Sequence, residues 1–246
     1  MTLRRFLPNM FAALALATPV AAADQPRAVI EMFTSQGCNS CPPADRLVGE
    51  MVNDPSIIVL SYSVTYWDYL GWRDTLALPE NTQRQRAYAL GRGDRQVYTP
   101  QAVVDGVFHA VGSDRRDIEA KAVRARNGRG DGAPLSVPVS VSKDGSTMTV
   151  SIGTGSEKAP GDCRVSLVEF DKEQTVAIGR GENRGETITY HNVVRASREI
   201  GRWSGGALKL PVDAKTDDPN KGVVILVQQM SSGSNPGVII GATQIR

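Results

Sequence analysis

The chain has 246 residues, enough for one large domain or two ordinary ones, and is 41% hydrophobic and 22% charged. That composition excludes a disordered tail, a collagen and a disulfide-dense miniprotein. A formal charge of +2, with lysine and arginine spread along the sequence, leaves no basic block and no reason to expect a nucleic-acid partner. Two histidines, His109 and His191, are too few for a site built from a histidine cluster.

Residues 1–23 separate from the rest. Arg4 and Arg5 precede the apolar run Met10 to Val20, which closes with Ala21, Ala22 and Ala23, the pattern of a secretory signal cleaved before Asp24. The run is shorter than the ~20 apolar residues that span a bilayer, and no second stretch of that length follows. The expectation is an exported protein, periplasmic or secreted, that is not integral to a membrane once the signal is removed. In an oxidising compartment its three cysteines, Cys38, Cys41 and Cys163, are able to form stable disulfides.

Arg27 to Phe33 is a short apolar run that reads as a buried strand, ended by Thr34-Ser35-Gln36-Gly37 and followed at once by Cys38-Asn39-Ser40-Cys41. Ala44, Leu47, Val48 and Met51 then share one face of a helix that stops near Asn53-Asp54-Pro55. Pro42 and Pro43 suit its first turn, where amides have no intrahelical partner. The cysteine pair thus sits at a strand-to-helix junction, where helix-end amides stabilise a thiolate, the attacking species in disulfide exchange. A second strand is expected at Ile57 to Val64. The aromatic segment Tyr66 to Trp72 follows, then a helix from Pro79 or Glu80 to Leu90 with Gly91 as its stop. Thr99-Pro100 leads into two short strands around Asp105-Gly106, a strong hairpin signal, and Ser113 or Asp114 caps a last helix carrying Ile118, Ala122 and Ala125.

Asn127 to Pro134 has the composition of a flexible link. Beyond it, Leu135 to Val141 and Met148 to Ile152 alternate as a hairpin, with Pro138 arguing for a sheet edge. Further strands are expected at 163–170, 175–179, 187–195, 208–212, 222–229 and 237–243, a pattern that suggests a sandwich-like β module. Cys163, alternating with Val165 and Leu167, reads as a buried thiol outside the pair. Gly179 to Gly185 lacks the strand-to-helix setting of a nucleotide loop and reads as a turn.

The order strand, CxxC, helix, strand, helix, Thr-Pro, hairpin, helix resembles the thioredoxin fold. Three segments, Phe33-Thr-Ser-Gln-Gly-Cys-Asn-Ser-Cys-Pro-Pro-Ala-Asp45, Tyr66-Trp-Asp-Tyr-Leu-Gly-Trp72 and Tyr98-Thr-Pro-Gln101, resemble an uncharacterised family of secreted thioredoxin-like proteins known as a domain of unknown function. The likeness extends through Gly181 to Gly185 and His191 to Arg195, which makes the glycine loop and His191-Asn192 candidates for lying against the cysteine site and restricting substrates. It implies Cys38 as the exposed nucleophile, Cys41 as the resolving thiol, and a cis Pro100 beside them, with the Thr99-Pro100 backbone holding the partner. Glu31, a carboxylate in an apolar strand, is the candidate for the buried acid that handles the resolving thiol's proton. It lies seven residues before Cys38, where thioredoxins place theirs six before, and an ordinary ion pair at a strand end is the competing reading.

The fold expected is α/β: a thioredoxin-like domain at 24–126, a linker at 127–133 and an all-β, sandwich-like module at 134–246. The function expected is a thiol–disulfide oxidoreductase without cofactor, acting on a protein or peptide and recycled by a redox partner. Tyr66, Trp67, Tyr69 and Trp72 are candidates for an aromatic platform that holds this substrate with Thr99, since such side chains anchor interfaces; packing of an insertion is the alternative. Two other readings stay open: a binding module whose disulfide is structural, and a copper-binding protein using two thiolates with His109.

Overall fold

The computed structural model describes residues 25–128, 133–144, 147–155, 163–213, 218–231 and 235–245. The expected signal segment, 1–23, and residues 129–132 of the expected linker lie outside the described residues.

The chain begins with strand β1 (Ala28–Thr34), parallel to β2 (Ile57–Ser63) and antiparallel to β3 (Gln101–Val104). Side chains alternate across β1 as the strand period requires. Ile30 and Met32 meet Ala44, Leu47 and Val48 of helix α1 (Pro42–Met51) and Ile118 of α3 (Arg115–Arg126). Val29 and Phe33 face the other way, toward Tyr88 of α2 (Pro79–Arg92). That helix runs past the expected stop at Gly91 and is capped instead by Gly93, at φ +77°. At the turn between β3 and β4 (Phe108–Val111), closed by the Val107 amide donating to the Val104 carbonyl, Asp105 and Gly106 both take positive φ. A Cβ at Gly106 would lie 2.1 Å from the Gly237 carbonyl oxygen, so only glycine fits there.

The expected division into a helix-flanked thioredoxin-like domain followed by a separate all-β sandwich is overturned. The fold is mostly β. The second-half strands β7 (Cys163–Ala177), β8 (Thr187–Trp203), β10 (Lys221–Ser231) and β11 (Asn235–Ile245) continue the first-half sheet. Together they form one mixed eight-stranded sheet of order β11-β10-β7-β8-β2-β1-β3-β4. The physical reason lies at β2, whose apolar outer edge needs a partner. Strand β8 supplies it: Val193 pairs with Ser61, the Ser61 hydroxyl donates to the His191 carbonyl at 2.8 Å, and the Asn192 amide donates to the Val59 carbonyl at 2.8 Å. One core then spans both halves, with Phe33, Leu60 and Val103 packed with Phe170, Val194 and Leu226. The two strands expected at 163–170 and 175–179 are a single strand, β7, and β8 runs on to Trp203.

A three-stranded sheet of β5 (Val139–Asp144), β6 (Thr147–Ile152) and β9 (Leu208–Val212) covers the far end, setting Val139, Val150 and Val212 against Val165, Trp203 and Ile225. Cys163 is buried in that core. No helix among the described residues is long and apolar enough to cross a membrane.

A buried ionic cluster joins the halves. Glu31 on β1 is fully buried and receives a two-pronged ion pair from Arg84 of α2, at 2.7 and 3.1 Å, and a hydrogen bond from the Tyr88 hydroxyl. Gln228 of β10 accepts from Arg84 at 3.1 Å and donates to the Tyr88 oxygen at 2.7 Å. Removing one member of a buried pair leaves an uncompensated charge. Glu31→Gln is expected to lower unfolding stability by about 3 kcal/mol, read as a lower urea midpoint at unchanged slope. An unchanged midpoint would mean the cluster carries no weight.

Candidate functional site

Strand β1 ends at Thr34, and the turn at Ser35 to Gly37 is closed by the Cys38 amide donating to the Ser35 carbonyl at 3.2 Å. Cys38 and Cys41 form a disulfide with their Cα atoms 5.4 Å apart. Cys41 is the cap residue of α1, and Pro42 and Pro43 occupy its first turn. The prolines suit that place because they forgo amides that have no helical partner, and they start the helix just after the pair. The sulfurs therefore lie at the positive end of a helix, where a thiolate is favoured. Asn39 and Ser40 are exposed, but Cys38 and Cys41 are both 0% exposed, so the expected surface position of Cys38 is corrected.

Thr99 reaches the pair through Ser40. The Thr99–Pro100 peptide is cis. The Ser40 hydroxyl lies 3.3 Å from the Cys38 sulfur and donates to the Thr99 carbonyl at 3.5 Å. Trp67 donates from Nε1 to the Thr99 hydroxyl at 2.7 Å. Tyr69, 77% exposed, stacks on Trp67 with ring centres 6.5 Å apart, and Tyr66 lies tilted against the same ring at 6.4 Å. Tyr66, Trp67 and Tyr69 are thus gathered with Thr99, whereas Trp72 turns away to donate to the Gln36 side-chain oxygen at 2.8 Å.

The connector between β7 and β8, residues 178–186, lies on the cysteine turn. Asn183 is buried, and its side-chain amide donates to the carbonyls of Gln36 and Cys38, each at 2.9 Å. Glu182 accepts the Asn39 amide at 3.1 Å. Trp72 is the floor beneath it: a Cβ at Gly179 would lie 3.0 Å from its ring. His191 of β8 packs on α1 at Gly49, where a Cβ would lie 2.8 Å from the imidazole. Sequence reasoning placed the connector's shared residues as candidates near the cysteines but identified neither Asn183 nor Glu182 as a contact. The available signal was a polar Asn-Glu pair framed by glycines.

Glu31 is not brought to the pair as a free acid: both its oxygens are engaged by Arg84 and Tyr88. The buried acid on the cysteine helix is Asp45, four residues after Cys41 and 2% exposed. Its Oδ1 accepts the Thr34 hydroxyl at 2.7 Å, and Oδ2 is buried without a hydrogen-bond partner among the described residues. Burial pushes the carboxyl up to about 7, against the Thr34 hydrogen bond and with a further push from Asp74. Asp74 is also raised by burial, although it accepts the amides of Gln36, Leu76 and Ala77 at 2.8, 2.8 and 3.1 Å. Burial likewise raises the Tyr190 hydroxyl, with both aspartates adding to it. His109 has both ring nitrogens engaged, by the Tyr98 hydroxyl at 2.9 Å and by Asp94 at 3.3 Å. Among the described residues, no three or more His, Cys, Asp or Glu side chains are grouped to hold a metal ion.

A family model described as "Protein of unknown function (DUF1223)" matches residues 29–228. A crystal structure of an Agrobacterium tumefaciens protein is similar at 35% identity, with 91% of this chain and 96% of that chain covered and a TM-score of 0.78. HBP35 of Porphyromonas gingivalis, at 12% identity, shares the fold with a TM-score of 0.63 over 91% of this chain and 76% of its own. No curated protein matches the sequence.

Asp45 generates a pH prediction. Its folded pKa lies above its unfolded value of 3.8, so the folded state binds the extra proton and stability falls as pH rises from about 4 to about 7. Asp105, also raised to about 7 by burial, adds a slope of the same sign. Asp74, raised by burial as well, adds to the same slope, and Asp45→Asn removes one of these contributions. The stability of the variant relative to the native protein is expected to rise through that window by at most about 4 kcal/mol, then level off. Urea unfolding at several pH values measures this, and a pH-independent difference would contradict it.

Proposed function

We propose that this chain, which belongs to the DUF1223 family of unknown function, is an exported thiol–disulfide oxidoreductase acting through Cys38 and Cys41 on a protein or peptide. The observation that carries the reading is the disulfide at the head of α1, beside the Thr99 carbonyl and the stack of half-buried Trp67 with exposed Tyr69. In the reducing direction, the Cys38 thiolate attacks a substrate disulfide and releases one substrate thiolate, which takes a proton. The Cys41 thiolate then attacks the Cys38 sulfur, closing the intramolecular disulfide and releasing the second substrate thiolate. Two electrons pass to the substrate, and the reverse sequence oxidises a substrate dithiol. A separate redox partner restores the starting state.

Residue roles follow from position. Cys38 takes the nucleophile's role and Cys41 the resolving role. The Thr99-Pro100 backbone and the Tyr66, Trp67 and Tyr69 side chains hold the partner, while Trp72 supports the turn from beneath through Gln36. The complete burial of both cysteines favours a second reading, a non-catalytic binding module with a structural disulfide.

Equilibration in defined thiol buffers, read by alkylation and intact mass, separates the two. Exchange predicts a reversible two-electron transition between about −120 and −270 mV that requires Cys38 and persists in Cys163→Ser. A disulfide that resists reduction below about −300 mV supports the structural reading instead.

A further inference from the structure

The connector at 178–186 is a compact unit in its own right. Ile178 donates to the Glu186 carbonyl at 2.9 Å and Gly185 to the Ile178 carbonyl at 2.8 Å, while Glu186 donates back to the Asn183 carbonyl at 3.1 Å. Gly181 and Gly185 frame Asn183 at φ +81° and +90°, backbone that favours glycine. The hydrogen bonds described above between this unit and the cysteine turn come from two side chains. The Asn183 amide supplies two N–H donors to the Gln36 and Cys38 carbonyls, and the Glu182 carboxylate supplies one acceptor to the Asn39 amide.

Those are the groups an extended polypeptide offers: N–H donors and a carbonyl acceptor. Backbone groups in a buried site cannot be left unpaired without a cost comparable to a lost hydrogen bond. Neither cysteine is exposed, so exchange requires the turn to open, and a partner that displaces the connector must satisfy the two buried carbonyls it releases, while the exposed Asn39 amide turns to water. A thiol as small as dithiothreitol carries hydroxyl groups but no main chain to lie along the turn. A cavity of about 600 Å³ is formed by the connector itself, from Gly179 to Glu182 with Arg184, against Leu70, and gives a chain room to enter.

We propose that Asn183 and Glu182 act as an internal stand-in for substrate main chain, so that the disulfide selects an extended cysteine-bearing polypeptide and excludes small thiols. This deepens the exchange reading and rests on it. Asn183 and Glu182 are specificity-determining residues that need not touch the reacting sulfurs.

The test compares second-order rates of reduction by dithiothreitol and by a reduced cysteine-containing peptide, in the native protein, Asn183→Ala and Glu182→Ala, with circular dichroism and thermal unfolding to verify folding. Glu182 is exposed, so its substitution keeps the test informative if Asn183→Ala fails to fold. Folded Asn183→Ala is expected to react with dithiothreitol at least about tenfold faster, and Glu182→Ala severalfold faster, while the native preference for the peptide shrinks. Folded variants with the native dithiothreitol rate overturn the proposal, as does a peptide-to-dithiothreitol ratio that the substitutions leave unchanged. Excess dithiothreitol also opens a structural disulfide. Faster reduction of the variants at a potential below about −300 mV therefore shows the shield to be real while the exchange reading fails.

Discussion

The Glu31 carboxylate is fully buried on an interior strand of the sheet, where a bare charge costs several kcal/mol, and no residue near it in sequence neutralises it. Its counter-charge comes from Arg84 on α2, and Gln228 on β10 shares the Arg84 donors and holds Tyr88 in place. Satisfying one buried acid on β1 thus brings a second-half strand against α2. The same constraint acts along β2, whose outer edge is completed by β8 at Ser61 and Val193. Neither half closes its own polar and apolar accounts, which is why a single sheet crosses from one to the other.

That continuity positions the site. Once β8 lies beside β2, His191 rests on α1 at Gly49, and the turn that joins β8 to β7 projects over the cysteine turn. The first half supplies the disulfide, the helix end and the Thr99 carbonyl. The second half supplies the connector hydrogen-bonded to the cysteine turn, through Asn183 and Glu182. Each hydrogen bond across the junction is worth roughly 1 kcal/mol net, so a connector held by a few of them is secure at rest and still displaceable by a partner that replaces them.

Local features were legible in the sequence because short-range chemistry sets them. The apolar run before Cys38, the two prolines after Cys41, and Asp105-Gly106 between short strands each specify a backbone geometry within a few residues. The continuous sheet was not legible, since β2 and β8 meet through a long-range pairing that no periodicity encodes, and the alternating strands after 134 fit a separate module equally well. Asp45 was passed over because, at the end of the CPPAD run, it reads as an ordinary acidic residue in a first helical turn. Its burial under Thr34 and beside Asp74 is a tertiary fact. Glu31 attracted the acid's role through its strand setting, but its partners on α2 make it an ion-pair member.

The central claim is that Cys38 and Cys41 exchange with a polypeptide. The most direct measurement is incubation of folded Cys41→Ser with an oxidised cysteine peptide under native conditions, followed by intact-mass and peptide mapping. Attack by the Cys38 thiolate on the peptide disulfide forms a Cys38–peptide mixed disulfide and releases one peptide thiolate. The account predicts a one-to-one adduct at Cys38 that is absent in the Cys38→Ser/Cys41→Ser control. An adduct formed only after denaturation would contradict it and leave the disulfide a structural bond.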